Sequence, residues 1–211
     1  MSTAVLIERI PEASPRFKAR IAGALYFSSV LTAVLGEAFL RGTPSVAAGF
    51  IAISGMAAVT LLFYDIFKPV SRSLALLAAS LNLVCLTFEA LRWDPRGVNI
   101  AMVFHGLYCL VTGYLIFRST FLPRIPGALM TVGGLGWLTL LSPSLAQYLS
   151  PYNLAAGFLG EGSPMLWLLV TGLSVQRWER QASPAGIDSR SAPCAPGSIA
   201  RQEGEVQNSP I

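Results

Sequence analysis

The sequence predicts an all-α protein, a polytopic transmembrane helix bundle with six spans and both termini in the cytoplasm. Of its 211 residues, 53% are hydrophobic and only 12% are charged, whereas an average soluble domain is about 25% charged. Its apolar runs approach the length of roughly twenty residues that a helix needs to cross a bilayer. The basic residues flank these runs and do not form a patch. Together these observations predict a helical membrane protein.

Six apolar segments can be traced along the chain. With a rise of about 1.5 Å per residue, each is long enough, or nearly so, to cross roughly 30 Å of hydrocarbon. The predicted spans are 20–40, 46–67, 74–93, 98–117, 125–142 and 154–176. The predicted organisation is a cytoplasmic N-terminal segment (1–18), a transmembrane domain (19–178) and a disordered cytoplasmic tail (179–211).

The basic residues predict the orientation of the bundle. Twelve of the 15 Lys and Arg residues fall on the side of the termini, and Arg41, Arg92 and Arg96 fall on the other. Because cytoplasmic loops carry an excess of Lys and Arg, both termini are expected in the cytoplasm. This distribution also accounts for the net charge of +4 without a nucleic-acid partner; the predicted partner is the lipid bilayer.

The three cysteines do not form a disulfide framework or a zinc-type motif. Cys85 and Cys109 fall within predicted spans, where a thiol usually behaves as a small apolar group. Cys194 lies in the tail and is expected to be reduced in the cytoplasm. No cofactor is indicated by these residues.

Five acidic or histidine residues lie inside the predicted spans, and each needs an explanation because a charge at membrane depth costs a few kcal/mol. Asp65 lies three residues before Lys68 at the inner end of its span, which indicates an ordinary interfacial ion pair. The other four fall in the outer half of the predicted bundle. They are Glu37, Glu89, His105 and Glu161.

Glu161 and His105 are the strongest candidates for a polar site, with Glu37, Glu89 and Tyr108 as further members. Three carboxylates and the only histidine at similar depth on four helices are what a buried site would contain. An alternative remains for the two shallower carboxylates, because Glu37 precedes Arg41 by four residues and Glu89 precedes Arg92 by three. His105 could also be a neutral imidazole bonded to a neighbouring backbone carbonyl.

The residues around Glu161 predict a break in the last span. Gly160 and Gly162 flank the carboxylate, and Pro164 removes a helical hydrogen bond and clashes with the carbonyl four residues before it. We therefore expect a break or kink at 160–163, opening onto a polar pocket, because irregular backbone at membrane depth must be buried in protein or line a wet cavity.

A second interpretation of this stretch places the membrane later in the sequence. Residues 143–162 would then form an outer loop, Glu161 would be exposed at its end, and the final span would be short. The two interpretations differ in whether the carboxylate is buried.

Small residues in the fifth predicted span favour close helix packing over a functional role. Without a hydrophobic force between helices in lipid, small side chains allow backbones to approach and gain dispersion contacts. These residues are Gly127, Thr131, Gly133, Gly134 and Gly136.

Four stretches resemble an uncharacterised bacterial membrane family, the domain of unknown function DUF4386. They are ARIAGALY (19–26), FKPVSRSLALLAA (67–79), GYLIFRSTFLPRIPGALM (113–130) and GGLGWLTLLSPSLAQYLSPYNLAAGFLGEGSPMLWLLVTG (133–172). The likeness covers about residues 19–178. It implies a multi-pass protein of the bacterial cytoplasmic (inner) membrane, and it brings no reaction, ligand or catalytic residue.

Three functions remain open from the sequence. The first is a small transporter or sensor component with an outward-facing proton- or cation-responsive site at Glu161 and His105. The second is a structural or assembly protein that docks partners through its tail, so that deleting residues 182–211 should abolish partner co-purification. The third, less favoured, is an intramembrane metal-dependent enzyme. A single histidine supplies fewer nitrogen ligands than catalytic zinc sites usually have. No catalytic motif is recognisable.

Overall fold

The computed structural model describes residues 14–92, 95 and 98–183, and within them the chain is helical and contains no strand. Arg96 and Cys194, and the predicted tail beyond residue 183, lie outside the described residues. The helices are α1 Pro15–Phe39, α2 Thr43–Phe67, α3 Arg72–Leu91, α4 Ile100–Arg118, α5 Arg124–Leu138, α6 Pro143–Leu149, α7 Tyr152–Val170 and α8 Val175–Ala182. The predicted all-α class is confirmed.

Local sequence signals explain where several helices begin. The side chains of Ser14, Ser71 and Asn99 each accept a hydrogen bond from an amide in the first turn of α1, α3 and α4. Such caps satisfy amide groups that have no partner within the helix. Pro15 and Pro143 occupy the first turns of α1 and α6, where a missing N–H costs nothing.

Four helices, α1 to α4, are long and apolar enough to cross a membrane, and a fifth span is possible if α7 and α8 count as one bent unit. Many of their large apolar side chains, including Phe50, Ile51 and Leu61, face outward, as expected where lipid replaces water. Helix α5 has 15 residues, about 22 Å at 1.5 Å per residue. The membrane character of the chain is thus supported, while the count of six spans stays a prediction.

Six of the helices form a closed ring in which each packs on its neighbour along the chain, in the order α1, α2, α3, α4, α5, α7, and α7 returns to α1. The contacts between α1 and α2 are extensive, as are those within the series α3, α4, α5 and α7. The contacts of α2 with α3 and of α1 with α7 are less extensive. The ring therefore consists of a hairpin unit (α1, α2) and a four-helix unit (α3, α4, α5, α7) that meet along two seams.

One end of the ring gathers most of the described basic residues, and we call it the basic end. Lys18 on α1 and Lys68 both pair with Asp65, at 3.4 and 2.8 Å, so the predicted pairing of Asp65 with Lys68 is confirmed. Arg20 donates to the carbonyl oxygen of Val170 at the end of α7, at 3.2 Å. At the opposite end, Glu37 of α1 pairs with Arg92 after α3.

The predicted break at 160–163 does not interrupt the last long helix. Helix α7 continues from Tyr152 to Val170 with Pro164 inside it. A proline in a transmembrane helix is tolerated where neighbouring helices compensate for the lost hydrogen bond, and Pro164 is fully buried against them. The alternative outer loop over 143–162 is also wrong, because Glu161 lies within the helix and its side chain is only 12% exposed.

The last predicted span, 154–176, is not one straight helix. Helix α7 stops at Val170, and after a turn the chain runs at 105° to it as α8. The turn requires Gly172, whose φ of 72° is rarely adopted by other residues. Trp178 of α8 donates to the carbonyl oxygen of Ile66 at 2.9 Å, so α8 lies across the basic end. Residue 179, where the predicted tail begins, therefore lies within α8.

Candidate functional site

Glu161 lies at the centre of a buried cluster to which four helices contribute. Its Oε1 atom is 2.9 Å from Nε2 of His105 on α4 and also accepts a hydrogen bond from the indole of Trp137 on α5. Its Oε2 atom accepts a hydrogen bond of 2.7 Å from the hydroxyl of Tyr26 on α1. The distance between the two predicted site residues thus places them in direct contact.

Three donors on one carboxylate explain how the bundle tolerates a buried acid. A charge away from water is costly unless it is paired and hydrogen-bonded, and bonds to an ionised acceptor are stronger than neutral ones. The imidazole of His105 can donate from Nε2 whether neutral or protonated. The pair can therefore carry a net charge of −1 or zero without losing its hydrogen bond.

Glycines of α5 and α7 place the indole against the carboxylate. A Cβ atom on Gly160 would lie 2.7 Å from the Cα atom of Gly133, so only small residues permit this approach of the two helices. A Cβ atom on Gly157 would collide with the ring of Trp137. The small-residue packing predicted for the fifth span is present, and it positions a site residue as well.

The imidazole of His105 has its own surroundings. The rings of Tyr108 and Trp137 lie 5.6 and 6.1 Å from it, centroid to centroid. The thiols of Cys85 on α3 and Cys109 on α4 lie beside it. The two cysteines predicted to be apolar filling are therefore neighbours of the histidine.

One set of side chains could hold a metal ion. Possible ligand atoms of His105, Cys109 and Glu161 lie within 4.8 Å of one another, and nitrogen, sulfur and oxygen donors of this kind suit zinc. However, both oxygens of Glu161 already accept hydrogen bonds, one of them from the imidazole itself. A metal ion would have to displace that contact, so the geometry favours a hydrogen-bonded acid–base pair.

A cavity of about 710 Å³ leads to this pair, and all six helices of the ring line it. Its polar groups include Tyr26, His105 and Glu161 at one part of the wall, while most of the remaining lining is apolar. A second cavity of about 540 Å³ extends to Arg92 and Asn99. The two cavities share Ala33, Glu37, Ala52, Ile53, Glu89 and Met102. They thus adjoin each other along the path from the pair to the end of the ring opposite the basic end.

Glu37 and Glu89 lie along this path but do not contact Glu161. The carboxylate of Glu37 is 73% exposed and pairs with Arg92 at 3.4 Å. Arg41 donates to the backbone carbonyl of Glu37, so the predicted local ion pair of these two residues is not formed. The alternative pairing of Glu89 with Arg92 is not formed either, because the guanidinium turns to Glu37. Tyr108 adjoins His105 and is buried.

Tyr26, Trp137 and Cys109 belong to the cluster and were missed by the sequence reasoning. Cys109 follows His105 by four residues, a helical spacing that indicates one face and could have identified it. Trp137 stands among the glycines of the fifth span. Nothing local marks Tyr26, which is 135 residues from its partner Glu161.

A separate buried polar contact joins the two units on the other seam. The side chain of Asn82 on α3, fully buried, donates to the hydroxyl of Thr60 on α2 at 2.6 Å. The Oδ1 atom of Asn82 has no hydrogen-bond partner among the described residues. This contact lies outside the lining of the large cavity.

The site residues of the four-helix unit fall in a stretch with recognisable relatives. Residues 82–172 match the family model described as domain of unknown function DUF4386. The predicted resemblance is confirmed over these residues, which include His105, Trp137 and Glu161. The DUF4386 match leaves out α1, and with it Tyr26.

A curated relative adds no activity. An uncharacterised protein of Archaeoglobus fulgidus is 23% identical over 125 residues, which cover 54% of this chain and 75% of the relative. No solved structure matches the chain. The names of these similar proteins therefore state no function.

Proposed function

We propose that this chain is a six-span protein of the bacterial cytoplasmic membrane, with both termini inside, and that it works as a small transporter or sensor component. Its site is the Glu161–His105 pair at the end of an outward-facing cavity, and it responds to a proton or another cation. The observation that carries the proposal is an acid–base pair, buried among four helices, that is also reached by a cavity.

The charge distribution supports the orientation. The described residues at the basic end include nine Lys or Arg side chains, whereas Arg41 and Arg92 are the described basic residues at the other end. Under the positive-inside rule the basic end faces the cytoplasm. The cavity that reaches Glu161 then opens to the outside.

Thiol labelling tests this orientation. Thr43→Cys and Ser73→Cys each place an exposed thiol in the first turn of a helix, α2 at the Glu37 end and α3 at the basic end. In a Cys194→Ala background, a membrane-impermeant maleimide added to intact cells should label the first and spare the second. Labelling of Ser73→Cys alone would reverse the proposed orientation.

The acid–base pair is surrounded by other titratable groups, which have to be considered when a response to pH is assigned to it. Those facing it are Tyr26 from α1, Cys85 and Glu89 from α3, and Tyr108 and Cys109 from α4. The residues with which α2 and α5 line the cavity, Ala52, Ile53, Met56 and Trp137, carry no titratable group. Because the indole of Trp137 donates to Glu161, protonation of this carboxylate is expected to dominate the response of Trp137.

Trp137 offers an internal reporter for this response. The purified full-length protein is titrated from neutral to acidic pH, and the signal of Trp137 is obtained by subtracting the fluorescence of Trp137→Phe. We expect its emission to change with pH, because the charge beside the indole changes. Glu161→Gln should abolish the change.

Glu37→Gln is the matched control, since it makes the same substitution at a carboxylate that is exposed and does not touch Trp137. It should leave the response intact. A Trp137 signal that does not depend on pH, or one that persists in Glu161→Gln, would overturn the proposed site.

A further inference from the structure

We infer that the ligand of this cavity is an amphipathic organic cation, with one positive group directed to Glu161 and an apolar body along the cavity wall. This inference rests on the proposed function, because it names the ligand class of the same site. Size, charge and wall chemistry each support it.

The size of the cavity indicates a molecule and not an ion. About 710 Å³ lies within the range of roughly 300–1,000 Å³ typical of small-molecule sites. A proton needs no such volume, and a metal ion at His105 and Glu161 would fill only a small part of it.

The charges of the lining favour a cation. Three carboxylates, those of Glu37, Glu89 and Glu161, line the large cavity, and no Lys or Arg does so among its described lining residues. Arg92 lines only the outer cavity and is paired with Glu37. A cation that loses its water on entering would be compensated by these carboxylates, whereas an anion would be repelled.

The walls suit an apolar body with a positive group. The rings of Trp137 and Phe158 stand edge to face at 5.5 Å, and with Tyr26 they line the cavity around Glu161. Aromatic faces attract desolvated cations. Met56, Met102 and Met165 also line it, and flexible thioether side chains adapt to ligands of different shape.

Two probes of the same size and shape but opposite charge test the inference. Tetraphenylphosphonium is an apolar cation, and tetraphenylborate is its isosteric anion. Binding of each to the full-length protein in detergent is measured by equilibrium dialysis at fixed pH, for the wild type, Glu161→Gln and Glu37→Gln. A fixed pH and permanently charged probes keep this measurement separate from the fluorescence titration.

We expect the wild type to bind the phosphonium stoichiometrically and the borate at least about tenfold more weakly, a difference of about 1.4 kcal/mol. Glu161→Gln should weaken phosphonium binding by at least about tenfold, and Glu37→Gln by less than about threefold. Equal binding of the two probes, or phosphonium binding unchanged by Glu161→Gln, overturns the inference.

A folding defect in Glu161→Gln would be recognised by size-exclusion chromatography, and Glu161→Asp then serves as the second variant. Because Glu161→Asp keeps the negative charge, it should retain phosphonium binding. Loss of phosphonium binding in a folded Glu161→Asp protein counts against the inference. If the Trp137 pH response is present but the phosphonium is not preferred, the ligand class is wrong and the proposed function stands. If the response itself is absent, the proposed function fails.

Discussion

The four-helix unit and the two seams between the units differ in the contacts that hold their helices together. Within the four-helix unit, backbones meet directly: a Cβ on Gly113 would lie 2.9 Å from the carbonyl oxygen of Gly127, and Gly133 meets Gly160 in the same way. The two seams between the units carry polar contacts that include Tyr26–Glu161, Thr60–Asn82 and Arg92–Glu37. One close backbone approach, of Gly23 on α1 to Leu169 on α7, accompanies them.

This difference indicates which part of the bundle can move. Close backbone packing allows few alternative arrangements, because interiors of this density deform little. Hydrogen bonds across a seam can be exchanged for other hydrogen bonds. One of those here, from Tyr26, is accepted by Glu161 of the candidate site. The cavity also lies between the two units, with walls from both. We therefore expect stability to depend mainly on the four-helix unit and ligand response mainly on the seams.

Gly160→Leu should have the largest effect, because a Cβ there would meet backbone atoms of α5 at 2.6–2.7 Å. We expect a loss of about 3 kcal/mol, at the upper end of typical overpacking costs, measured as the free energy of unfolding in detergent. Gly162→Leu, two residues along α7, is the control. Its Cβ would meet nothing within 4 Å, so a comparable loss there would contradict the proposed role of close packing.

Tyr26→Phe removes only the hydroxyl that joins α1 to Glu161. A hydrogen bond to a charged group contributes about 1.5–3 kcal/mol, so we expect a loss of about 2 kcal/mol together with an altered pH response of Trp137. Tyr114→Phe makes the same change at an exposed tyrosine of α4 and should alter neither quantity. If Tyr26→Phe and Tyr114→Phe change the stability and the pH response of Trp137 equally, the hydrogen bond from Tyr26 to Glu161 has no specific effect on either.

Thr60→Val tests the second seam, between α2 and α3. Interhelical hydrogen bonds in membrane proteins average about 0.6 kcal/mol, and a loss of about this size is expected from the same unfolding measurement. Thr87→Val is a suitable comparison, because the hydroxyl of Thr87 bonds the carbonyl of Leu83 within its own helix. If Thr60→Val loses more stability than Tyr26→Phe, the expected order of the two seam contacts in their contribution to stability is wrong.

Arg92→Gln should have the smallest effect on stability, less than about 0.5 kcal/mol, because both side chains of the Glu37 pair are more than half exposed and such pairs contribute little. It should instead strengthen phosphonium binding, since Glu37 loses its cationic partner at the cavity entrance. The guanidinium of Arg41 donates to backbone carbonyls, so Arg41→Gln should leave phosphonium binding unchanged. Weaker binding in Arg92→Gln would argue against attraction by the entrance carboxylates.

Local features of the sequence were enough to predict the helical class, most helix positions and the two central site residues. Hydropathy and capping act over a few residues, so Ser71 and Asn99 mark helix starts without reference to the rest of the chain. Glu161 and His105 were identified because a buried ionisable group in a span is expensive wherever its partners lie. The same local reasoning failed at Pro164, where neighbouring helices tolerate the proline.

The sequence by itself determined that this protein is an apolar helical bundle with a carboxylate and a histidine inside its spans. Only the tertiary structure decided which groups surround them. Closure of the ring between α1 and α7 brings Tyr26 to Glu161 across 135 residues, and the packing of α5 on α7 brings Trp137 to the same oxygen that faces His105. These contacts depend on which helices are neighbours, and in lipid that choice is made by fit between whole surfaces and not by any local pattern.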